Sequence, residues 1–286
     1  MFKISIVIPS FNQGKFIEET INSVLNQAGD FELECVVIDG GSNDNTLEIL
    51  KKYEGKRGLR WISEKDSGQS EAINKGFKIA TGDVINWLCS DDLLEPGALQ
   101  KVADFFNKNR EAIPDGRQAK VVFGQNLFID ENGKFLRHLK SKKFSRDELV
   151  KRWNKVYVDF NIPQPSVFVK REILNEIGYV NEKLLFAMDY EWYLRINKKY
   201  EFYFLDEVLS ESRYHKEAKS VVAEKKQYEE SIGVSKKYWK ENYFLYFFCY
   251  YFDLCLKKIY ALSTLLKKKF PAYKKFVALI KSQSDV

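Results

Sequence analysis

The sequence predicts an α/β fold with a largely parallel central sheet covered by helices on both faces. Three observations carry that expectation. Over the first ninety residues short apolar runs alternate with segments apolar at helical spacing, and the turns between them are short and polar. The chain is also long enough, at 286 residues with 45% hydrophobic and 30% charged side chains, to bury a sizeable core.

The elements follow in order. Lys3 to Ile8 is apolar and β-branched, Pro9 to Gly14 turns, and Ile17, Ile21, Val24 and Leu25 then recur at helical spacing. The pattern repeats with a strand from Leu33 to Ile38, the polar run GGSNDNT, and a helix through Leu47, Ile49 and Leu50 that ends near Gly55. Leu59 to Ile62 gives a third strand. A helix from about Gln69 to Ala80 carries Ala72, Ile73, Gly76 and Phe77 on one face, and Val84 to Leu88 gives a fourth strand, with a helix from Leu94 to Phe106 beyond it. Val121 to Ile129 and Lys134 to Leu139 flank a Glu-Asn-Gly turn and read as a hairpin. Helices are expected at Arg146 to Trp153, Arg171 to Ile177, Tyr190 to Lys198 and Val221 to Glu241.

The charge divides the chain in two. From Lys216 onward there are fifteen Lys and seven acidic residues, a balance of +8 against +6 for the whole chain, so the first 215 residues carry −2. Tyr238 to Phe252 holds ten aromatics in fifteen residues. A domain over residues 1–220 and a helical extension over 221–286 are expected. In the extension, Tyr243 to Leu256 is too short and interrupted to span a bilayer. With the Lys267 to Lys269 cluster it suits either an interfacial segment on the cytoplasmic face of a membrane or an appendage packed on protein. Cys35, Cys89, Cys249 and Cys255 form no metal-type spacing, no cleaved signal is visible at the amino end, and a reducing cytoplasm fits. Nucleic-acid binding is disfavoured because the basic residues are confined to the tail. A Rossmann dehydrogenase or P-loop NTPase is disfavoured because neither glycine motif occurs.

In parallel sheets the ligand crevice lies beyond the carboxyl ends of the strands, so the polar turns are where chemistry is sought. Asp39 ends the second strand, where a carboxylate accepts hydrogen bonds either from a nucleobase or ribose or from its own turn. Asp66, Gly68, Gln69 and Asn74 cluster after the third strand. Asp91 and Asp92 stand together after the fourth, either as ligands of a hard divalent ion such as Mg²⁺ or Mn²⁺ or as acids opening the next helix.

In order and spacing, SIVIPSFNQ, VVIDGGSNDNT, EKDSGQSEAINKG, NWLCSDD, FAMDYEWYLR and RYHKEAKS resemble the inverting nucleotide-sugar glycosyltransferases of family 2, which have the GT-A fold. The resemblance covers about Ile4 to Ser220. It implies that Pro9, Phe11, Asn12, Asp39 and Asp66 form the wall that holds the nucleotide, with Gln69 and Asn74 along it. Asp91 and Asp92 match the acidic metal motif, with Ser90 standing where one carboxylate is missing; Asp92 is implied as the metal contact and Asp91 lies nearer the ribose. His215 is implied on the metal or the diphosphate, and Arg213 and Lys216 supply phosphate charge. Asp189 matches the catalytic carboxylate, preceded by Met188 where Glu is common, and Glu191 is the competing base. Gln164, Ser166 and Trp192 fall where donor sugar and acceptor meet.

The implied reaction is an inverting transfer from a UDP-sugar to a hydroxyl of a saccharide or lipid-linked acceptor, with Mn²⁺ or Mg²⁺ as cofactor, in surface polysaccharide or glycoconjugate synthesis. A non-catalytic nucleotide-sugar-binding protein and a sugar-phosphate nucleotidyltransferase are the alternatives.

Overall fold

The computed structural model describes residues 1–109, 118–150 and 162–238. The amino-terminal half runs β1 (Lys3–Ser10), α1 (Ile17–Leu25), β2 (Glu32–Asp39), α2 (Thr46–Lys51), β3 (Leu59–Ser63), α3 (Gln69–Ile79), β4 (Val84–Trp87), β5 (Leu93–Leu94) and α4 (Ala98–Lys108). There follow β6 (Val121–Asp130), β7 (Phe135–Leu139), α5 (Arg146–Val150), a 3₁₀ turn at Gln164–Ser166, β8 (Val167–Lys170), α6 (Ile173–Ile177), α7 (Met188–Asn197), β9 (Phe202–Tyr214), α8 (Lys219–Val222) and α9 (Glu224–Lys236).

One nine-stranded sheet has the order β3-β2-β1-β4-β8-β6-β9-β5, with β7 on β6. The pairs β1–β2, β2–β3, β1–β4 and β6–β9 are parallel, while β8 is antiparallel to both β4 and β6. β6 and β9 therefore run the same way as β1 to β4. The carboxyl ends of all six parallel strands open toward one edge of the sheet.

Side-chain alternation along the strands builds a core on each face. Val7, Val36 and Ile38 point to the face covered by Ile73 and Phe77 of α3 and Trp192, Leu194 and Ile196 of α7. Ile4, Ile6, Ile8, Cys35 and Val37 point to the other, under Ile17, Ile21 and Val24 of α1, Leu50 of α2 and Leu99, Val102 and Phe106 of α4. Strands buried on both sides read as continuous apolar runs, which is why β1, β2 and β4 were visible in sequence.

The structure revises several expectations. Leu94 does not start a helix: Leu93 and Leu94 pair with Glu211 and Ser210 of β9, and α4 begins only after Pro96 and Gly97, the latter at φ 74°. Besides β5, two further strands were not expected. β8 is only VFVK, and the thirteen residues of β9 mix charged with apolar side chains because much of the strand is half-exposed. The segment expected as one helix from Val221 divides into α8 and α9, and these lie on the main body. Val234 joins the core beneath α7, the Ser235 hydroxyl donates to the Val150 carbonyl at 2.7 Å, and the Tyr238 hydroxyl donates to Glu191 Oε1 at 3.1 Å. No helix among the described residues is long and apolar enough to cross a membrane. The aromatic run, the Lys267 to Lys269 cluster, and the ends of the helices expected to reach Trp153 and Glu241 lie outside the described residues.

Candidate active site

Beyond the strand ends the turns enclose a cavity of about 960 Å³. Its first wall is made by the turns after β1 and β2, which are bonded to each other. Asn12, in the left-handed region at φ 52°, donates its N–H to Ser42 Oγ at 2.7 Å and accepts the Asn43 N–H at 2.9 Å. The Gln13 and Gly14 N–H groups donate to Thr46 Oγ1 and Asp44 Oδ2 at 3.0 and 2.9 Å.

Asp39 is the hub of this wall and is 0% exposed. Its carboxylate accepts the Gly41 and Ser42 N–H groups and the Ser42 and Ser63 hydroxyls at 2.5–3.1 Å. Of the two roles open to it in sequence, the turn-building one is visible. Pro9 and Phe11 line the cavity, Phe11 being 56% exposed, whereas Asp39 is buried beneath the turn and Asn12, though exposed, is not part of the lining. Asp66 does face the cavity. Its Oδ1 accepts the Gly68 N–H at 2.9 Å, and burial raises its pKa. Gly40 leaves room for it, since a Cβ there would lie 2.7 Å from the Asp66 carboxylate.

Gln69 lines the cavity, donating to Cys89 Sγ at 3.3 Å and accepting from Lys219 Nζ at 3.1 Å. Asn74 does not. Its amide is buried against the backbone N–H and carbonyl of Val180 and the Glu182 carboxylate at 2.7–3.0 Å, where it clamps α3 to the strap before α7.

The acidic pair forms the floor. Cys89 Sγ and carboxylate oxygens of Asp91 and Asp92 lie within 4.8 Å of one another. His215 Nε2 is 2.9 Å from Asp91 Oδ2, its ring packed on Phe16 with centroids 4.7 Å apart. Asp92 is nearly buried, and its Oδ1 accepts the Arg213 N–H at 3.0 Å. Burial, then the neighbouring Asp91 charge, push the Asp92 carboxyl well above the usual carboxylate range, against the opposing pull of Arg213. Burial and the two carboxylates likewise push the Cys89 thiol up. Crowded oxygens with excess negative charge fit a hard divalent cation, which would relieve that cost.

The opposite side is built by α7 and the β9 end. Asp189, in the first turn of α7, lines the cavity, as does Gln164, whose amide donates to the Trp87 carbonyl at 2.6 Å. Glu191 turns away to pair with Arg195 at 2.9 Å. Trp192 is a core residue, packed on Phe77 and Trp87 with its indole N–H on the Gly178 carbonyl at 2.9 Å. Ser166 is equally internal, its hydroxyl bonding the Gly124 and Pro163 carbonyls.

Arg213 reaches the lining, but its side chain is 1% exposed and its guanidinium is occupied by Glu19 at 2.6 Å and the carbonyls of Asp91, Asp130 and Glu131. The cation that faces the cavity from this arm is Lys219, whose pKa is lowered by burial, which outweighs the opposing pull of the Glu230 and Asp189 carboxylates. Nothing in the spacing of RYHKEAKS distinguishes it from Lys216, which is not part of the cavity lining.

An open, mostly parallel sheet with a carboxylate-and-histidine floor beyond its strand ends is the architecture of the GT-A-type glycosyltransferases. The chain belongs to glycosyl transferase family 2, whose model matches residues 5–177. It is 30% identical over 243 residues to an uncharacterized glycosyltransferase of Methanocaldococcus jannaschii, covering 84% of this chain and 80% of the relative. Among solved structures, residues 1–349 of Staphylococcus aureus TarS in complex with UDP-GlcNAc superpose with a TM-score of 0.63 at 20% identity, covering 82% of this chain and 65% of that one. The mannosyltransferase PcManGT of Pyrobaculum calidifontis, in complex with GDP-Man and Mn²⁺, gives 0.64 at 15% identity, covering 99% and 80%. These likenesses establish the GT-A fold, and family membership makes the chain a glycosyltransferase.

Proposed function

We propose that the chain transfers a sugar, with inversion at the anomeric carbon, from a nucleoside-diphosphate donor to a hydroxyl of a saccharide or lipid-linked acceptor, in surface polysaccharide or glycoconjugate synthesis. The observation that carries the reading is that Asp189, the Asp91–Asp92–His215 group and Lys219 line one cavity at the edge where the parallel strands end. A UDP-sugar is the donor favoured by the resemblance and by the ligand of TarS. The nucleotide lies along Pro9, Phe11 and Asp66, and the sugar points toward Gln164 and Asp189.

Asp189 takes the proton from the acceptor hydroxyl as its oxygen attacks the anomeric carbon from the face opposite the leaving diphosphate. Asp91, Asp92 and His215 would hold Mn²⁺ or Mg²⁺; bound there, the ion supplies positive charge to the departing phosphate oxygens. Lys219 adds a donor on the same side, aimed at charge that grows as the bond breaks.

Calorimetric titration of the full chain with UDP, GDP and dTDP, with and without Mn²⁺, tests donor class, and one nucleotide is expected to bind in a metal-dependent way. Asp189→Asn is expected to leave that affinity within about 2-fold and lower turnover by about 10²–10⁴. Normal turnover in Asp189→Asn would remove the base assignment. Binding of no nucleotide under either condition would remove the donor assignment.

A further inference from the structure

The helix α9 reaches back to the turn that carries Asp189. One oxygen of the Glu230 carboxylate accepts the Leu185 N–H at 3.0 Å, and the other accepts the Phe186 and Ala187 N–H groups, each at 2.6 Å. Three successive amides converging on one anion form a concavity of the kind that binds a carboxylate tightly. Ala187 lies two residues before Asp189, and Leu185 and Phe186 themselves line the cavity.

The same helix also holds the far side of the base. Tyr238, just past the end of α9, donates to Glu191 two residues after Asp189, and Val234 and Ser235 seat the helix between these two contacts. Asp189 is therefore bracketed on both sides by contacts from a segment that follows it by some forty residues. A reacting group must be held closely, because a displacement of about 1 Å costs on the order of 10² in rate.

We propose that Glu230 is a positioning residue for the catalytic base: it fixes the 185–187 turn, and through it the aim of Asp189, without touching substrate. The inference rests on the reading of Asp189 as the base. Glu230→Gln is the informative change, since it keeps the side-chain volume and one acceptor oxygen but turns an amide NH₂ toward backbone N–H groups.

The test uses the full chain with UDP-GlcNAc and Mn²⁺, reading UDP release as water takes the sugar in place of the acceptor hydroxyl, together with hydrogen–deuterium exchange of the 185–187 amides. Glu230→Gln is expected to speed that exchange about 10-fold. It should also lower kcat by about 10–100-fold while the UDP-GlcNAc KM and the UDP affinity stay within about 2-fold. Glu230→Asp, which keeps the charge on a shorter arm, should fall between the variant and the unsubstituted chain. Unchanged exchange would overturn the contact. Faster exchange with unchanged kcat, or kcat and UDP affinity falling together, would overturn the positioning role. Normal turnover in Asp189→Asn would instead fail the base assignment, leaving the exchange result standing, so the two failures are distinguishable.

Discussion

Replacing Asp92 by Asn should move stability and metal response in opposite directions. The Asp92 carboxyl is raised well above the usual range by burial and by Asp91. An acid whose folded pKa exceeds its unfolded value, near 3.9, holds more protons in the folded state. Stability therefore falls as pH rises from that value through the folded pKa, and each unit of elevation costs about 1.4 kcal/mol above it. Asn carries no charge to desolvate, and its Oδ1 can keep the 3.0 Å bond from the Arg213 N–H. At pH 7 in EDTA, Asp92→Asn should melt above the unsubstituted chain, by about 2–4 °C for each kcal/mol relieved. A divalent cation reverses the ranking. At a hundred times its dissociation constant it stabilises the unsubstituted chain by about 2.7 kcal/mol, whereas the variant should gain little. Calorimetric melting of both chains in EDTA and in MnCl₂ reads the two effects together. A variant that melts lower in EDTA, or keeps the full Mn²⁺ shift, would refute the argument.

Two further outcomes test the division between site and scaffold. Asn74→Ala removes three hydrogen bonds and strands the Val180 backbone, so it should cost about 1–3 kcal/mol in urea denaturation. UDP affinity measured by calorimetry should stay unchanged; lost affinity at full stability would return Asn74 to the donor site. Burial alone would raise the pKa of Glu34, but hydrogen bonds from Ser5 and Thr81 and the Arg60 charge outweigh it and hold the carboxyl below its ordinary value. Its contribution is thus present above the unfolded pKa and lost as pH falls through the folded one. Glu34→Gln should weaken the fold by about 1–3 kcal/mol at neutral pH and flatten the acid limb of a stability–pH curve; an unchanged limb would count against the network.

The parallel half of the fold was legible because its buried strands read as near-continuous apolar runs: Cys35 to Ile38 has no polar position, and Ile4 to Ile8 has one, Ser5, itself buried. β9 was not, because its pairing with β6 is long-range and its partly exposed positions carry Asp206, Glu207, Glu211 and Ser212. The turns after β3 and β4 bring Asp66, Asp91 and Asp92 to the cavity, and Asp189 reaches it from the first turn of α7. Residue type alone could not say that Asn74, Ser166 and Trp192 face inward. Their partners, Val180, Gly124 and Gly178, are distant in sequence or set by backbone geometry. Cys89 and Glu230 were overlooked for a related reason: a thiol in an apolar strand exit and a Glu on a charged helix carry no local signal of what they meet.

The interlocked turns after β1 and β2 have a thermodynamic consequence for whatever rests against them. Immobilising a loose backbone costs about 1–2 kcal/mol per residue, and a loop that orders only on contact subtracts that entropy from its affinity. Here Ser42, Asp44 and Thr46 hold residues 12–14 in place beforehand, so folding has already absorbed the loss. Ser42 and Thr46 are absent from the cavity lining, yet loosening them would show up as a less favourable binding entropy with little change in contact enthalpy.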